Sequence, residues 1–330
     1  MSSQQTDMRL DMIDVKATNP NLETLYQHFH RRLSPFFDDA DNPKPEFFES
    51  IACYHCSGVD IRSEFVAARF RHVRCANCGM VYVSPRLKES VLHDSYDDEG
   101  YADFYKLKII PSIQYRREVL DRRKYDQIME HLSGRGTVLD IGCGVGDLLS
   151  IFQDHGWNCR GIEFNRFAAG FAQKTFGLDV RAESIMDLDP TKEQYDCIML
   201  WGVLEHFTQP HEVLRKVHHM LKPGGLLVLE VPSGDSLLVR YVEKFGGPVH
   251  RIIEGDRHNM LFSARALCEM TEQAGFKLVH LQANGLDLDT LFNMNSVQLK
   301  PEIVARIQAT IDACLCGDLL RGFWKKPALL

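Results

Sequence analysis

The chain contains 330 residues with a formal net charge of −7, and 45% of its residues are hydrophobic. This composition is typical of a globular protein, and the length allows a full α/β domain with smaller additions. The negative charge disfavours a broad nucleic-acid interface, which needs a basic face. The first residues lack the features of a secretory signal, and no apolar run is long enough to span a bilayer. Ten cysteines without an export signal favour a cytoplasmic location and metal binding over a disulfide framework.

The composition changes along the chain in a way that predicts four regions. They are a polar and amphipathic segment at 1–45, a module with paired cysteines at 46–88, a helical connector at 89–134 and an α/β domain at 135–330. The connector carries a tyrosine-rich stretch, which predicts either a lid over a cofactor or an exposed amphipathic link. Its tyrosines are Tyr96, Tyr101 and Tyr105.

The paired cysteines are the motif that indicates a metal. Cys53-x-x-Cys56 and Cys75-x-x-Cys78 are separated by 18 residues, which is typical of a four-thiolate zinc site. Each pair presents two sulfurs to one ion, and four thiolates complete a tetrahedral shell with no open position. We therefore predict a structural Zn²⁺ without a catalytic role. Iron in the same cage is the alternative, and the other six cysteines are interpreted as buried or incidental.

From Thr137 onward, apolar strand-like runs alternate with amphipathic helical segments. This alternation predicts βαβ units and a parallel sheet. The predicted strands are Val138–Ile141, Cys159–Phe164, Val180–Ala182, Cys197–Trp201, Leu226–Val231, Phe276–Leu281 and Leu319–Trp324. Ser263 is predicted to cap a helix, and the segment after Pro232 is interpreted as irregular.

A glycine-rich turn follows the first of these strands. Asp140 precedes glycines in the pattern G-x-G-x-G, formed by Gly142, Gly144 and Gly146. Glycines at the carboxyl end of a strand allow the backbone to approach a nucleotide-type cofactor closely, although a tight turn without a ligand is the alternative. Glu163 lies 23 positions after Asp140, the spacing at which a βαβ unit places a ribose-binding carboxylate. The alternative for Glu163 is a solvated carboxylate at a strand end.

Five motifs in order carry a family resemblance. VLDIGCGVG, GIEFN, YDCIMLWGVLEHF, HHMLKPGGLLVLEVP and FSARALCEMTEQAGF resemble the class I S-adenosylmethionine-dependent methyltransferases over residues 115–281. The Leu204-Glu205-His206 element is similar to the branch that methylates small molecules and sugars. The resemblance implies a Rossmann-like sheet of seven strands with the last strand antiparallel. The cysteine module resembles the zinc-ribbon modules that precede methyltransferase domains in enzymes of polysaccharide biosynthesis.

The resemblance also implies which residues hold the methyl donor, and it favours that donor over a dinucleotide. Asp140 and the three glycines would surround the methionine part, and Glu163 would bind the ribose. The chain lacks the Gly-Asp pair that the family usually carries after the third strand. The remaining implied contacts are Phe164, Glu183 and Ser184 at the adenine, and Leu200 and Trp201 along the pocket wall.

Methyl transfer from a sulfonium is an in-line displacement, and a hydroxyl acceptor must also lose a proton. Histidine suits that task, so His206 and His258 are the candidate bases, with His250 nearby; structural histidines are the alternative. The predicted acceptor is a small molecule or a glycan or nucleotide-sugar precursor that is methylated on oxygen.

Two other functions are compatible with the sequence. One is an RNA methyltransferase whose zinc module grips nucleic acid, and the other is a cofactor-binding scaffold without turnover. The basic edge that would serve RNA consists of Arg62, Arg69, Arg71 and Arg74.

Overall fold

The computed structural model describes residues 21, 24, 27, 31–91, 99–247 and 251–328, with backbone only at 99 and 100. His250, Tyr96 and most of the first predicted region lie outside the described residues. In the part of the chain that is described, no helix is both long and apolar enough to cross a membrane.

Short antiparallel strands build the cysteine module. Their bounds are β1 Phe48–Glu49, β2 Ile61–Ala67, β3 Phe70–Cys75, β4 Val81–Val83 and β5 Arg86–Leu87. β3 pairs with β2 on one side and with β4 on the other, and β1 pairs with β5. The two cysteine pairs therefore lie in the turns before β2 and after β3, so the hairpin brings them to the same end of the sheet.

The connector is helical but changes its hydrogen-bonding pattern several times. It contains α1 Glu99–Phe104, a π-helical turn Tyr105–Ile109, a 3₁₀ turn Ile110–Ser112, α2 Ile113–Tyr115, a second π-helical segment Arg116–Asp121 and α3 Arg122–Met129. π-Helical turns are rare and recur at functional sites. Both of these segments contribute side chains to the cavity described below.

All seven predicted strands are present and form one sheet. Their bounds are β6 Thr137–Ile141, β7 Asn158–Ile162, β8 Asp179–Arg181, β9 Tyr195–Trp201, β10 Leu221–Pro232, β12 Lys277–Asn284 and β13 Leu319–Lys325, with β11 Met260–Leu261 belonging to the smaller sheet. The order across the sheet is β12-β13-β10-β9-β6-β7-β8. β6 to β10 are parallel, and β13 runs antiparallel between β10 and β12. The predicted Rossmann-like fold with an antiparallel last strand is confirmed.

Helices cover both faces of this sheet. They are α4 Asp147–Asp154, α5 Arg166–Phe176, α6 Pro210–Met220, α7 Leu237–Phe245, α8 Ala264–Gln273, α9 Asp287–Met294 and α10 Pro301–Ala313. Side chains alternate along each strand, so the sheet contributes to two apolar cores. Leu139 and Ile198 lie in one core, whereas Val138 and Met199 lie in the other. Ser263 caps α8 as predicted, because its Oγ accepts a hydrogen bond from the Ala266 backbone nitrogen at 3.0 Å.

The cysteine module and the α/β domain share a sheet. β11 pairs with β4, with Met260 opposite Tyr82 and Leu261 opposite Val81. The guanidinium of Arg74, which is 1% exposed, also contacts the Glu243 carboxylate of α7 at 2.8 Å. The module is therefore built into the methyltransferase-like body along β4 and β11.

The segment after Pro232 is more regular than predicted. α7 begins after Ser236, whose Oγ accepts a hydrogen bond from the Val239 backbone nitrogen at 3.1 Å. The irregular interpretation is therefore wrong over Leu237–Phe245. The helix has only nine residues and lies between glycine-containing turns. A helix this short gives only a weak periodic signal in the sequence. Its stability comes from tertiary packing.

Candidate active site and cysteine cluster

A cavity of about 630 Å³ opens at the carboxyl ends of β6, β7 and β9. Open α/β sheets bind ligands at this edge, and this volume is typical of a small-molecule site. The walls come from the glycine turn after β6, the segments after β7, β8 and β9, the connector, and residues 251–258. Sequence elements far apart in the chain thus converge on one cavity.

The glycine turn is required by its backbone geometry. Gly142 has φ +70°, and a Cβ on it would lie 2.5 Å from Val203 Cγ2. Gly142 and Gly144 line the cavity, as predicted for contacts to a cofactor. Gly146 is not among the lining residues; it has φ +79° at the start of α4, where a Cβ would lie 2.6 Å from Leu178 Cδ1. Gly146 therefore allows the start of α4 to pack closely against α5 and the turn that follows it.

Asp140 lies at the base of the cavity together with charged side chains that sequence reasoning missed. Burial raises the pKa of Asp140 well above its usual value, and its Oδ1 has no hydrogen-bond partner among the described residues. The second π-helical segment and α3 supply the other charges. Arg116 Nε contacts Asp147 Oδ2 at 2.8 Å, and Lys124 Nζ lies 3.2 Å from Asp121 Oδ1. This mixture of signs suits a zwitterionic group, which carries an ammonium and a carboxylate.

Glu163 is buried and held by backbone donors. Its Oε2 accepts a hydrogen bond from the Gly144 nitrogen and its Oε1 accepts one from the Asn165 nitrogen, both at 2.8 Å. Burial raises its pKa, while these bonds and one from the Tyr105 side chain act in the opposite direction. The Phe164 backbone also donates to this carboxylate. Together these donors fix its orientation at the cavity wall. A pair of hydroxyls on adjacent carbons matches this arrangement.

The residues predicted near the adenine lie at the next wall. Phe164, Glu183 and Ser184 line the cavity. The Ser184 hydroxyl also accepts a hydrogen bond from the Met186 nitrogen at 3.2 Å and so caps a 3₁₀ turn. Trp201 lines the cavity too, but Leu200 is fully buried in the core and does not reach it. Side chains alternate along β9, which explains why only one of these two neighbours reaches the wall.

Tyrosines of the connector cover the cofactor end. Tyr105 is 7% exposed, and its Cε1 lies 3.3 Å from the position that a Cβ on Gly144 would occupy. Tyr101 packs against it edge-on, with ring centroids 5.8 Å apart. Both line the cavity. Their position agrees with the lid interpretation and explains why Gly144 has no side chain.

Two histidines also line the cavity, and hydrogen bonds fix the orientation of each ring. The His258 Nδ1 donates to the Ile252 oxygen at 2.7 Å, and the His206 Nδ1 contacts the Arg257 oxygen at 2.8 Å. The His206 Nε2 lies 3.1 Å from the Gly202 oxygen. Burial lowers the pKa of His206 to about 3 and that of His258 to about 4. Burial therefore favours the neutral form of both rings.

The buried carboxyl group of Glu205 lies next to His258. Glu205 is 1% exposed, and its Oε1 lies 3.8 Å from the His258 Nε2. Its Oε2 has no hydrogen-bond partner among the described residues. Burial raises the pKa of Glu205 to about 8. Sequence reasoning treated Glu205 only as part of a family motif, although its position next to His206 indicated a location at the sheet edge.

The four predicted metal-binding cysteines converge at one point. The Sγ atoms of Cys53 and Cys78 are 3.5 Å apart, as are those of Cys56 and Cys75, and Cys56 lies 3.7 Å from Cys78. Sulfurs at about 2.3 Å from one tetrahedral zinc ion lie about 3.8 Å from one another. The donor set and its spacing therefore fit a closed Zn²⁺ site.

Together, the sheet order and the cavity define a class I methyltransferase. A family model described as "Methyltransferase domain" matches residues 113–281. The chain therefore belongs to the methyltransferase domain family, in agreement with the resemblance found in its motifs.

Curated relatives match the same part of the chain. A ubiquinone biosynthesis O-methyltransferase of Paraburkholderia phytofirmans is 33% identical over 112 residues, which are 32% of this chain and 47% of the relative. A tRNA U34 carboxymethyltransferase of Pseudoalteromonas translucida is 32% identical over 178 residues, 48% of this chain and 51% of the relative. The chain thus spans about half the length of these relatives.

A solved structure with a TM-score of 0.51 shares the fold. It is the 1,6-didemethyltoxoflavin-N1-methyltransferase of Burkholderia thailandensis with bound S-adenosylhomocysteine, 15% identical over 80% of this chain and 99% of that one. At this identity the similarity concerns the architecture.

Proposed function

We propose that the protein transfers a methyl group from S-adenosylmethionine to a hydroxyl of a small molecule or of a glycan or nucleotide-sugar precursor. The observation that carries the cofactor assignment is Glu163, whose carboxylate is oriented by the Gly144 and Asn165 nitrogens beside a glycine turn. A ribose diol would lie against this carboxylate.

Other residues that line the cavity match the methionine and adenine parts of the cofactor. Asp140, Arg116 and Lys124 line the end where the methionine ammonium and carboxylate would lie. Phe164, together with Glu183 and Ser184, would border the adenine, and Trp201 would close the apolar side. The cavity therefore offers charged groups for the methionine part and an aromatic ring and polar groups for the adenine.

The chain's contribution to the reaction is alignment. The sulfonium leaves as a neutral thioether, so the protein needs mainly to place the acceptor oxygen in line with the methyl carbon. Tyr101 and Tyr105 would cover the cofactor and exclude water. His206 and residues 251–258 would hold the acceptor, because they bring polar side chains to the cavity beside the residues assigned to the cofactor.

The Lys108 ammonium favours a small acceptor that carries a negative charge. Lys108 lines the cavity together with Arg251 and Arg257, whose charges are offset by Asp318 and Glu254. Burial lowers the pKa of Lys108 to about 8, which leaves the ammonium mostly charged at pH 7. A phosphorylated or carboxylated sugar would offer both the hydroxyl and the negative charge.

Acidic side chains neutralise most of the arginines on the basic edge of the cysteine module, which was the candidate surface for RNA. Arg74 is buried against Glu243, Arg71 Nε contacts Glu64 Oε2 at 3.1 Å, and Arg69 pairs with Asp41. Nucleic-acid binding draws on unpaired basic groups that release counterions. The pairing therefore supports a small acceptor over RNA.

His206 and His258 stay the predicted bases. A general base works best when its pKa lies near the working pH, and burial lowers the pKa of both rings to about 3 and about 4. Either ring is neutral and able to accept a proton, but each would be a weak base. Because both rings would be weak bases, a second group that lowers the pKa of the acceptor hydroxyl would assist the reaction.

The cysteine cluster is proposed to hold a structural Zn²⁺ at Cys53, Cys56, Cys75 and Cys78, within a module that we assign to residues 46–88. A closed thiolate shell leaves no position for a substrate. The ion would stabilise the turns that carry β2, β3 and β4. Iron would satisfy the same shell, and we favour zinc because a redox role has no partner group in this cluster. A cytoplasmic location follows from thiolates that must stay reduced.

A radiolabelled transfer assay separates the acceptor classes. The purified full chain is incubated with methyl-labelled S-adenosylmethionine and either a panel of nucleotide sugars or total RNA. We expect label on a hydroxylated small molecule and none on RNA. Label in RNA, with binding that falls steeply as salt rises, would replace the small-molecule assignment with the RNA one. Cofactor binding without transfer to either panel would favour the scaffold.

A further inference from the structure

We propose that Glu205, His206 and His258 form a second metal centre, which binds a divalent first-row cation at the acceptor end of the cavity. This inference deepens the proposed function and rests on it for the identity of the neighbouring cofactor. The ligand atoms of the three side chains all lie within 4.8 Å of one another. Ligands on opposite sides of an ion at about 2.1 Å are about 4.2 Å apart, so small side-chain shifts enclose one ion.

The two imidazoles are oriented as metal ligands usually are. A ligating histidine donates its other ring N–H to a backbone carbonyl or carboxylate, which fixes the tautomer. His258 Nδ1 faces the Ile252 oxygen at 2.7 Å and His206 Nδ1 faces the Arg257 oxygen at 2.8 Å. With Nδ1 on a backbone oxygen in each ring, the Nε2 of His258 faces Glu205 and the Nε2 of His206 faces Gly202.

The Gly202 oxygen lies close to the proposed centre, 3.1 Å from the His206 Nε2. Neighbouring ligands on a six-coordinate ion at about 2.1 Å lie about 3 Å apart. This backbone oxygen is therefore placed where a further ligand of the same ion would lie.

Glu205 supplies an independent observation. It is 1% exposed, and its Oε2 has no hydrogen-bond partner among the described residues. A buried carboxyl without a partner is costly, and a cation next to it removes that cost. The guanidinium of Arg257 is already paired with Glu254 at 2.6 Å, so its charge is offset.

The donor set selects the class of metal. Two imidazole nitrogens and one carboxylate favour Mn²⁺, Fe²⁺, Co²⁺ or Zn²⁺ over Mg²⁺ or Ca²⁺, which prefer oxygen ligands. His206 and His258 line the cavity, so the open positions of the ion would face the acceptor. A bound hydroxyl would lose its proton to solvent water, its oxygen would form the bond to the methyl carbon, and the C–S electron pair would stay on sulfur.

The test is a titration of the full chain with Mn²⁺. Binding is monitored through the electron paramagnetic resonance signal of the free ion. Mn²⁺ is the weakest of these ions in the Irving–Williams order and does not displace zinc from thiolates, so the cysteine cluster stays unchanged. We expect about one Mn²⁺ per chain, and binding at least about tenfold weaker in Glu205→Gln. Glu269→Gln is the matched control, because Glu269 pairs with His55 at 2.9 Å outside the cavity.

Each result decides the proposal. Wild-type protein that binds no Mn²⁺, or Glu205→Gln protein that binds it unchanged, overturns the metal centre. If Glu205→Gln does not fold, His258→Gln takes its place with the same expectation. S-adenosylhomocysteine binding, measured in the same samples, should be retained in the variants. If the wild type does not bind S-adenosylhomocysteine, the cofactor assignment is refuted. The Mn²⁺ titration still tests the metal centre in that case, because it does not depend on the cofactor.

Discussion

The backbone nitrogen of Val83 donates a 3.0 Å hydrogen bond to the backbone oxygen of Asn259. Val83 ends β4 of the cysteine module, whereas Asn259 precedes β11 and is fully buried. Asn259 continues the link, because its backbone nitrogen donates to the Glu205 oxygen at 3.1 Å and its side-chain nitrogen donates to the His206 oxygen at 3.1 Å. The module thus supports the acceptor end of the cavity through one asparagine.

Asn259→Ala should lower kcat while leaving S-adenosylhomocysteine affinity unchanged. The substitution leaves the His206 carbonyl without its buried donor, which costs about 1–3 kcal/mol of unfolding free energy. The loop at 205–206 would then lose its orientation, whereas the cofactor end keeps its contacts. Steady-state kinetics and calorimetry check this split. Asn295→Ala is the control, because it removes a similar amide-to-carbonyl bond at the surface.

Cys75→Ser should destabilise the whole body rather than the module alone. Loss of one thiolate removes folding energy that the metal supplies, and β3 and β4 are continuous with β11. We expect a single unfolding transition at a lower temperature and a loss of bound zinc by elemental analysis. Cys314→Ser, at an exposed cysteine outside the cluster, should behave as the wild type. A metal-free wild-type protein would remove the zinc assignment.

Tyr105→Phe should weaken S-adenosylhomocysteine binding about fivefold. The change removes only the hydroxyl that bonds Glu163, and a hydrogen bond to a charged group is worth roughly 1 kcal/mol or more. Calorimetry measures the effect. Tyr241→Phe provides a comparison, because that hydroxyl bonds Asn295 away from the cavity. If Tyr105→Phe binds as tightly as Tyr241→Phe does, the Tyr105 hydroxyl does not support Glu163 at the ribose.

His72 should make the protein less stable as the pH falls. Burial lowers its pKa to about 4 from the unfolded value of 6.5, so the unfolded chain binds more protons between these values and stability decreases from pH 6.5 downward. From pH 7 to 4.5 this group alone accounts for about 2 kcal/mol. His72→Phe, which keeps the stacking on Phe65, should flatten the pH dependence of denaturant unfolding by that amount. An unchanged slope would mean that His72 is protonated in the folded protein.

The sheet could be predicted from the sequence because its central strands are continuous apolar runs. Cys197–Trp201 and Leu226–Val231 carry that signal in a few neighbouring residues, and the observed strands contain both ranges. Glu163 was also predictable, since the βαβ unit sets its distance from the glycine turn. These features depend on local pattern and short spacing.

Other features depend on contacts between distant residues and leave no local signal. Arg74 belongs to a basic run in sequence, yet Glu243, which is 169 positions away, buries it. Arg116 and Lys124 line the cavity because the connector packs against the glycine turn, a contact between segments that are separate in sequence. The pairing of β4 with β11 joins strands of two and three residues, which are too short to be seen without their partner.

Binding of S-adenosylhomocysteine to wild-type protein and to Glu163→Ala, measured by isothermal titration calorimetry, tests the central claim most directly. We expect the wild type to bind one cofactor and Glu163→Ala to bind it about 100-fold more weakly, because two hydrogen bonds to a charged acceptor are lost. Glu212→Ala, an exposed carboxylate on α6, should bind as the wild type does. Equal affinity in the wild type and Glu163→Ala would contradict the assignment of the ribose site, and absence of binding in the wild type would contradict the methyltransferase function itself.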